Sequence, residues 1–350
     1  MTMNMSVGDL FDMIGDNQGF GEGTLIQSAK AKKQERYRAL ARGINVQSYS
    51  NFGLMEECER KFAKVKAATA VRYDNGKVAG AENNIHFAYG RAFESGVQAT
   101  LMGKSAQQIF WEMFLAWDMP LDATDDKGKT FTECVMAIDK FQLIAPDIFG
   151  EWELATFNGK SAVELAFCFD LENGYIFVGH VDIVLRNKSS GQFKVIELKT
   201  TGGLLHEAKY GNSPQATGYS IVVDEIAKQY PTLNADLAAA YSVLYLVYQS
   251  KDAAFTAFEF TKSRSERAGW LNSLMLDYNR IHMYRDANFF PKRGNSCMKF
   301  NRPCHLYGVC DLNIDFTEQH VVVPMSELET YEFDFRFKLS DIIKTQKELI

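Results

Sequence analysis

The chain lacks the marks of a membrane or secreted protein. No apolar run in its 350 residues is long enough to cross a bilayer. The opening segment MTMNMSVGDLFDMIGDNQGF has neither the basic start nor the continuous apolar stretch of a secretory signal. A cytoplasmic protein with no membrane partner is therefore expected. An excess of positive charge is also missing: 38 Lys and Arg stand against 44 Asp and Glu, a net of −6. That balance argues mildly against a nucleic-acid partner, although a site responds to local charge rather than to the total. Two stretches are locally basic: Lys30, Lys32, Lys33, Arg36, Arg38 and Arg42, and then Arg285, Lys292, Arg293, Lys299 and Arg302. No internal repeat or low-complexity tract is present. The paired Cys-x2-Cys knuckles of a zinc ribbon are absent as well.

What remains is ordinary globular composition, 46% hydrophobic and 23% charged, with length for one large domain or two smaller ones. Residues 1–47 read as a mobile basic arm. Residues 48–160 read as a helical part, with Ser48 or Ser50 capping a helix through Phe52, Met55, Phe62 and Val65, and further helices over 85–118 and 130–148. Over 161–290 the pattern becomes strand-rich. SAVELAFCFDL, YIFVGHVDIVLRN and FKVIELKTT are three strands joined by the turn signals ENG and KSSG. A helix opens at Ser213-Pro214, two strands follow from YSVLYLVYQS and AAFTAFEFT, and a helix runs from about Ser265 to Asp286. Residues 291–312 are a Cys-rich loop and 313–350 a tail ending in an amphipathic helix, which either packs on the domain or binds a protein partner. The expected class is α/β (mixed α+β), with a central mixed sheet flanked by helices.

Asp182 falls in the second meander strand; Glu197 and Lys199 fall in the third. Residues two apart on a strand share a face, and the short KSSG turn brings the strands together. Suitable register would set Asp182 beside Glu197. An isolated Glu-x-Lys is usually a surface ion pair. Here VIELKT lies on a strand that reads as central, where charges are costly unless paired or metal-bound. Two carboxylates can hold a hard divalent cation, the cation can activate water and polarise a phosphate, and the ammonium can orient that water or steady developing negative charge. Phosphodiester hydrolysis needs those parts.

This arrangement resembles the PD-(D/E)XK nuclease superfamily, and within it the RecB-like branch that includes AddB-type and CRISPR-associated exonucleases. Gly179-His180-Val181-Asp182 looks like the branch's G-x-x-D. Glu197-Leu198-Lys199 looks like its E-x-K, and Gln215 with Tyr219 like its Q-x-x-x-Y. The resemblance covers roughly residues 48–312 and implies a restriction-endonuclease-like core. It implies magnesium or manganese held by Asp182, Glu197 and the Leu198 carbonyl, a nucleophile-positioning Lys199, and substrate contacts from Gln215 and Tyr219. The branch's metal-binding His in G-x-x-x-H is replaced: Gly90-Arg91-Ala92-Phe93-Glu94 puts Glu94 there, a carboxylate that suits harder metals.

Six cysteines are present, and in a cytosolic protein they are expected reduced. Cys134 and Cys168 fit core positions. Cys297, Cys304 and Cys310 form C-x6-C-x5-C in a polar loop, which points to metal ligation with the metal left open by spacing alone. The resemblance supplies a specific answer. SYSNFGLMEECERKF is similar to the first-cysteine region of branch members in which one upstream and three downstream cysteines bind a 4Fe–4S cluster, here Cys58, Cys297, Cys304 and Cys310, with Glu59 in place of the usual Pro. Zinc is the second candidate.

The expected function is a metal-dependent DNA exonuclease acting on single strands or ends. A structure-specific endonuclease and a non-catalytic nucleic-acid-binding protein on a nuclease-like fold are the alternatives. The basic residues near 292–302 could guide the strand, and aromatics such as Tyr210 or Phe300 could stack bases.

Overall fold

Local capping chemistry sets the helix boundaries. The computed structural model describes residues 40–74, 84–125, 128–229, 241–299, 302–311, 315 and 319–348. Most of the expected basic arm, with Lys30, Lys32, Lys33, Arg36 and Arg38, lies outside them, as does Phe300. Residues 41–350 form one compact unit. After the two-residue strand β1 (Val46–Gln47), Ser48 accepts a hydrogen bond from the Asn51 N–H and opens α1 (Tyr49–Glu57). The single helix expected through Val65 is in fact two. Cys58 is extended (φ −168°, ψ 116°), its N–H closes α1 on the Leu54 carbonyl, and α2 (Glu59–Asp74) starts afresh.

The helix expected over 85–118 is also two, α3 (Ile85–Leu101) and α4 (Ala106–Ala116). Gly103 takes a left-handed φ of 70°, and Ser105 with Gln108 builds a capping box that restarts the helix. Periodicity reads through the break because both pieces carry apolar residues at three- and four-residue spacing. The third expected helix is α5 (Phe131–Phe149), capped by Thr130.

The strands follow: β2 (Trp152–Leu154), β3 (Thr156–Phe157), β4 (Lys160–Ser161), then the expected meander β5 (Val163–Asp170), β6 (Ile176–Asn187) and β7 (Phe193–Thr201). A short α6 (Glu207–Gly211) leads to α7 (Pro214–Gln229), whose first turn closes with Thr217 N–H on the Ser213 carbonyl. Then come β8 (Tyr241–Gln249), β9 (Ala254–Lys262), α8 (Arg264–Asp286), the hairpin β10 (Met298–Lys299) and β11 (Arg302–Pro303), α9 (Met325–Thr330), β12 (Phe335–Lys338) and α10 (Leu339–Glu348).

The central sheet has eight strands, ordered β12-β5-β6-β7-β8-β9 with β1 and β2 also on β6. It is mixed: β5–β6–β7 and β8–β9 are antiparallel, whereas β7–β8 and β12–β5 are parallel. The parallel β7–β8 step is what the α7 crossover requires. The α/β reading therefore holds, and the Glu-x-Lys strand is interior. The tail differs from expectation in being part of the sheet: Phe335 and Phe337 of β12, with Leu339 and Ile342, join the main core cluster.

Helices cover the sheet in two layers. One cluster packs α1, α2, α7 and α8 against Phe167, Phe177, Val195 and Val243. The other packs α3, α4 and α5 against Ile183, Ile196, Leu198 and Leu246. In the second layer α3 approaches closely enough that a Cβ at Gly96 would lie 2.6 Å from Ile138 Cγ1 and 2.9 Å from Met113 Sδ. Gly96→Ala should therefore destabilise the chain by about 1–3 kcal/mol through overpacking, despite alanine's better helix propensity. A urea midpoint equal to or above that of the parent would contradict this packing.

Candidate metal centre

Strand register assembles the centre. Ile183 pairs with Ile196 and Val184 with Val195 across β6–β7; continued by one residue, this sets Asp182 opposite Glu197, as expected. On the other side Val163 pairs with Ile183 and Leu165 with Val181, which sets Glu164 opposite Asp182. Glu164, Asp182 and Glu197 thus form a row across three adjacent strands.

The alternation of the strands breaks at that row. Val181 packs in the α7/α8 layer, whereas Ile183, two residues on, packs in the α3/α5 layer. The partner residue Glu164 has φ +52°, a left-handed conformation costly for a residue with a side chain and commonest at functional sites. Glu164 is a candidate site residue that the sequence alone did not point to. Its only signal was a lone carboxylate in the apolar run SAVELAFCF.

α3 delivers Glu94 to the same point. Ligand oxygens of Glu94, Glu164 and Asp182 all lie within 4.8 Å of one another. Gln98, one turn after Glu94, donates from Nε2 to Glu164 Oε1 (2.9 Å) and Glu94 Oε1 (3.3 Å), holding the pair together. Asp182 Oδ2 accepts from the Leu198 N–H at 3.2 Å, so Leu198 is tied to the site through its backbone while its side chain packs among α3, α4 and α5.

Glu197 is 1% exposed. Its Oε1 accepts from Lys199 Nζ, and its Oε2 is buried without a hydrogen-bond partner. Lys199 is half-buried, 41% exposed.

The charges do not balance. Burial, then Glu197, Glu94 and Glu164, raise the Asp182 carboxyl well above its usual range, with Lys199 opposing. Burial, then Glu164 and Glu197, do the same to Glu94. Burial lowers the Lys199 pKa, but Glu197 and Asp182 outweigh it and the net shift is upward. Two carboxylates about 5 Å apart repel by about 3 kcal/mol at an effective dielectric of about 20, more than a single Gln98 hydrogen bond returns. Gathering Glu94, Asp182 and Glu197 beside Glu164 is a repulsion that protons or a cation would relieve. All-oxygen donors, and the orphaned Glu197 Oε2 among them, fit a hard divalent ion such as magnesium or manganese.

Gln215 and Tyr219 sit one turn apart on α7 and are joined by Gln215 Nε2 donating to Tyr219 Oη at 2.6 Å. Tyr219 is buried; burial, then Glu197 and Asp182, raise its pKa, which places it beside the carboxylates. Tyr210 does not offer a stacking surface: it is buried, stacked on Phe258 at 5.4 Å and packed on Tyr245. The downstream basic residues are mostly engaged within the chain. Arg293 binds Glu59, Lys292 binds Asp311, and Arg285 Nη1 donates to Tyr175 Oη. From the upstream group, Arg42 pairs with Glu327.

Contacts between the α1–α2 joint and the loop after α8 bring the segments carrying the four expected cluster cysteines together. Among the described residues, however, the side chains grouped closely enough to hold one metal ion are Glu94, Glu164 and Asp182, not the cysteines. Cys58 occupies the α1–α2 joint. Around it Ser296 Oγ donates to the Glu57 carbonyl (2.5 Å), Arg60 N–H to the Pro291 carbonyl (2.9 Å) and Lys64 Nζ to the Val309 carbonyl (2.6 Å). The Cys304 N–H donates to the Cys297 carbonyl at 2.9 Å. Burial raises the Cys310 thiol, with Lys292 opposing and Cys58 close enough to add to the rise. Glu59, which departs from the Pro of the resemblance, is buried and bound by Arg293 and Arg280. Cys134 and Cys168 are buried in the core, as expected.

Among the described residues no helix is long and apolar enough to cross a membrane. No protein-family model matches the chain, and no curated protein matches it.

Proposed function

We propose that the chain is a metal-dependent deoxyribonuclease of the RecB-like PD-(D/E)XK kind, acting on single strands or DNA ends. The observation that carries this reading is the row of Glu164, Asp182 and Glu197 across three strands, with Glu94 and Lys199 converging on it. Glu94, Glu164, Asp182 and Glu197 would hold magnesium or manganese, with the Leu198 carbonyl alongside. The ion would polarise the scissile phosphate and lower the pKa of an attacking water. Lys199 stays protonated at neutral pH because Glu197 and Asp182 outweigh its burial. It therefore serves to orient the nucleophile and offset developing negative charge rather than as a base. Tyr219 is buried in the core against Tyr49 and Phe167, so it would support the site from behind rather than touch substrate as the resemblance implies. That leaves the half-buried Gln215 for the substrate contact.

The test is digestion of end-labelled single- and double-stranded DNA, with circular single strands alongside, in magnesium or manganese. Loss of linear but not circular substrate supports an exonuclease. Cleavage of circles would replace that reading with an endonuclease. No cleavage of any of them, with either metal, would overturn the enzymatic reading.

We further propose that Cys58, Cys297, Cys304 and Cys310 hold a 4Fe–4S cluster. Lys64, Lys292 and Arg293 line the region, with Lys292 and Arg293 held there by Asp311 and Glu59. Bound there, the cluster would staple the α1–α2 joint to the loop after α8. Anaerobically purified protein should carry about four irons per chain and be brown, and Cys304→Ala should lose the colour and unfold at lower temperature. A Cys304→Ala protein that stays coloured, folded and fully active would rule the cluster out.

A further inference from the structure

One side chain reaches the metal centre from the cysteine end of the fold. Tyr49 opens α1, and its ring packs against Phe177 (centroids 4.8 Å apart), Tyr219 (5.5 Å) and Trp270 (5.9 Å). Its hydroxyl enters a slot in α7 that exists because residue 218 is glycine: a Cβ there would lie 2.0 Å from Tyr49 Oη and 2.9 Å from Cζ. Gly179 of β6 opens the facing wall, where a Cβ would lie 3.4 Å from Tyr49 Cε2. Two glycines on two elements thus seat one hydroxyl beside the carboxylate row.

That hydroxyl is buried with no hydrogen-bond partner, and so is Glu197 Oε2. Tyr219, its ring neighbour, accepts a hydrogen bond from Gln215 Nε2. Burial, then the Glu197 carboxylate, push the Tyr49 hydroxyl well above the ordinary tyrosine pKa, which keeps its proton available to donate at neutral pH. The hydroxyl of Tyr245, another phenol that interacts with Glu197, is also buried without a partner, but of the two it is Tyr49 that the Gly218 slot seats, and folded chains seldom leave such groups unused.

We propose that Tyr49 is a positioning residue for Glu197: its hydroxyl donates to Glu197 Oε2, directly after a carboxylate rotation or across one water, and holds the carboxylate for the cation. Tyr49 touches neither substrate nor metal. Because α1 ends at Cys58, the same helix joins the cysteine region to the metal centre. The inference rests on the metal centre proposed above.

Calorimetric titration with Mn2+ tests it without recourse to cleavage. Tyr49→Phe keeps the ring and removes only the hydroxyl. It should leave the melting temperature of the metal-free chain near that of the parent and weaken Mn2+ binding by roughly ten- to a hundredfold, the range for partners of a metal ligand. Gly218→Ala should displace the hydroxyl and cause a similar loss, and in the double variant the two losses should not add. Parental affinity in Tyr49→Phe, or additive losses in the double variant, would overturn the inference while leaving the metal centre standing. Failure of the parent chain to bind Mn2+ would overturn both.

Discussion

Replacing Lys199 with alanine should lower DNA cleavage by about 10²- to 10³-fold, the range seen when one preorganised charge-stabilising donor is removed from a catalytic site. Lys199 is bonded to Glu197 and raised in pKa by Glu197 and Asp182. Its loss has a second consequence. Glu197, 1% exposed, would keep its charge without its partner, and breaking one side of a buried pair is destabilising; the 41% exposure of Lys199 tempers that cost through solvent screening. The two effects separate experimentally. Saturating Mn2+ should restore most of the lost thermal stability, because the ion supplies positive charge, but not the lost rate. Lys199→Arg should rescue poorly, since a planar guanidinium cannot take the place of a compact ammonium. Cleavage within twofold of the parent in a folded Lys199→Ala chain would remove Lys199 from the chemistry.

The parts of the fold and site that were legible in the sequence are those governed by local rules. The meander, its turns, and the α7 start at Ser213-Pro214 followed from period-2 alternation and cap chemistry, and with them the placement of Asp182 beside Glu197. Three features required three-dimensional information. Glu164 enters the site because β5 breaks its own alternation there with φ +52°, and a parity argument assumes that no such break occurs. The restarts at Cys58 and Ser105 were hidden because apolar spacing continues on both sides of each. Tyr210 looked like a free aromatic because exposure is not written into a residue type; α6 turns it into the core against Tyr245 and Phe258. Glu94 moved the other way. It was the departure from a resembled pattern, and its oxygen lies with those of Glu164 and Asp182.

Asp182→Asn should make the metal-free chain more stable at neutral pH while abolishing cleavage. The carboxyls of Asp182 and Glu94 are both raised in the folded chain, by burial first, then by Glu197, Glu94 and Glu164 for Asp182 and by Glu164 and Glu197 for Glu94. A raised folded pKa means that the folded chain binds its protons more tightly than the unfolded one. The stability contributed by those protons is fully present below the unfolded carboxylate value of about 4 and is lost as the pH rises to the folded values. In EDTA the parent chain's melting temperature should therefore fall from pH 5 towards pH 8, and Mn2+ should reverse the fall by binding the folded form alone, by about 2.7 kcal/mol at a hundred times its Kd. Asparagine keeps an oxygen to accept from the Leu198 N–H but removes one of the four mutually repelling charges. It should raise metal-free stability at pH 7.5 by on the order of 2 kcal/mol, several degrees in melting temperature, and flatten the pH dependence. It should also blunt the response to Mn2+, because a shared ligand has been neutralised. The decisive comparison is the difference between parent and Asp182→Asn melting temperatures at pH 5 and pH 8 in EDTA. A gap that widens with pH means that the carboxylates are held against their own repulsion for a cation, and a gap that stays constant means that they are not.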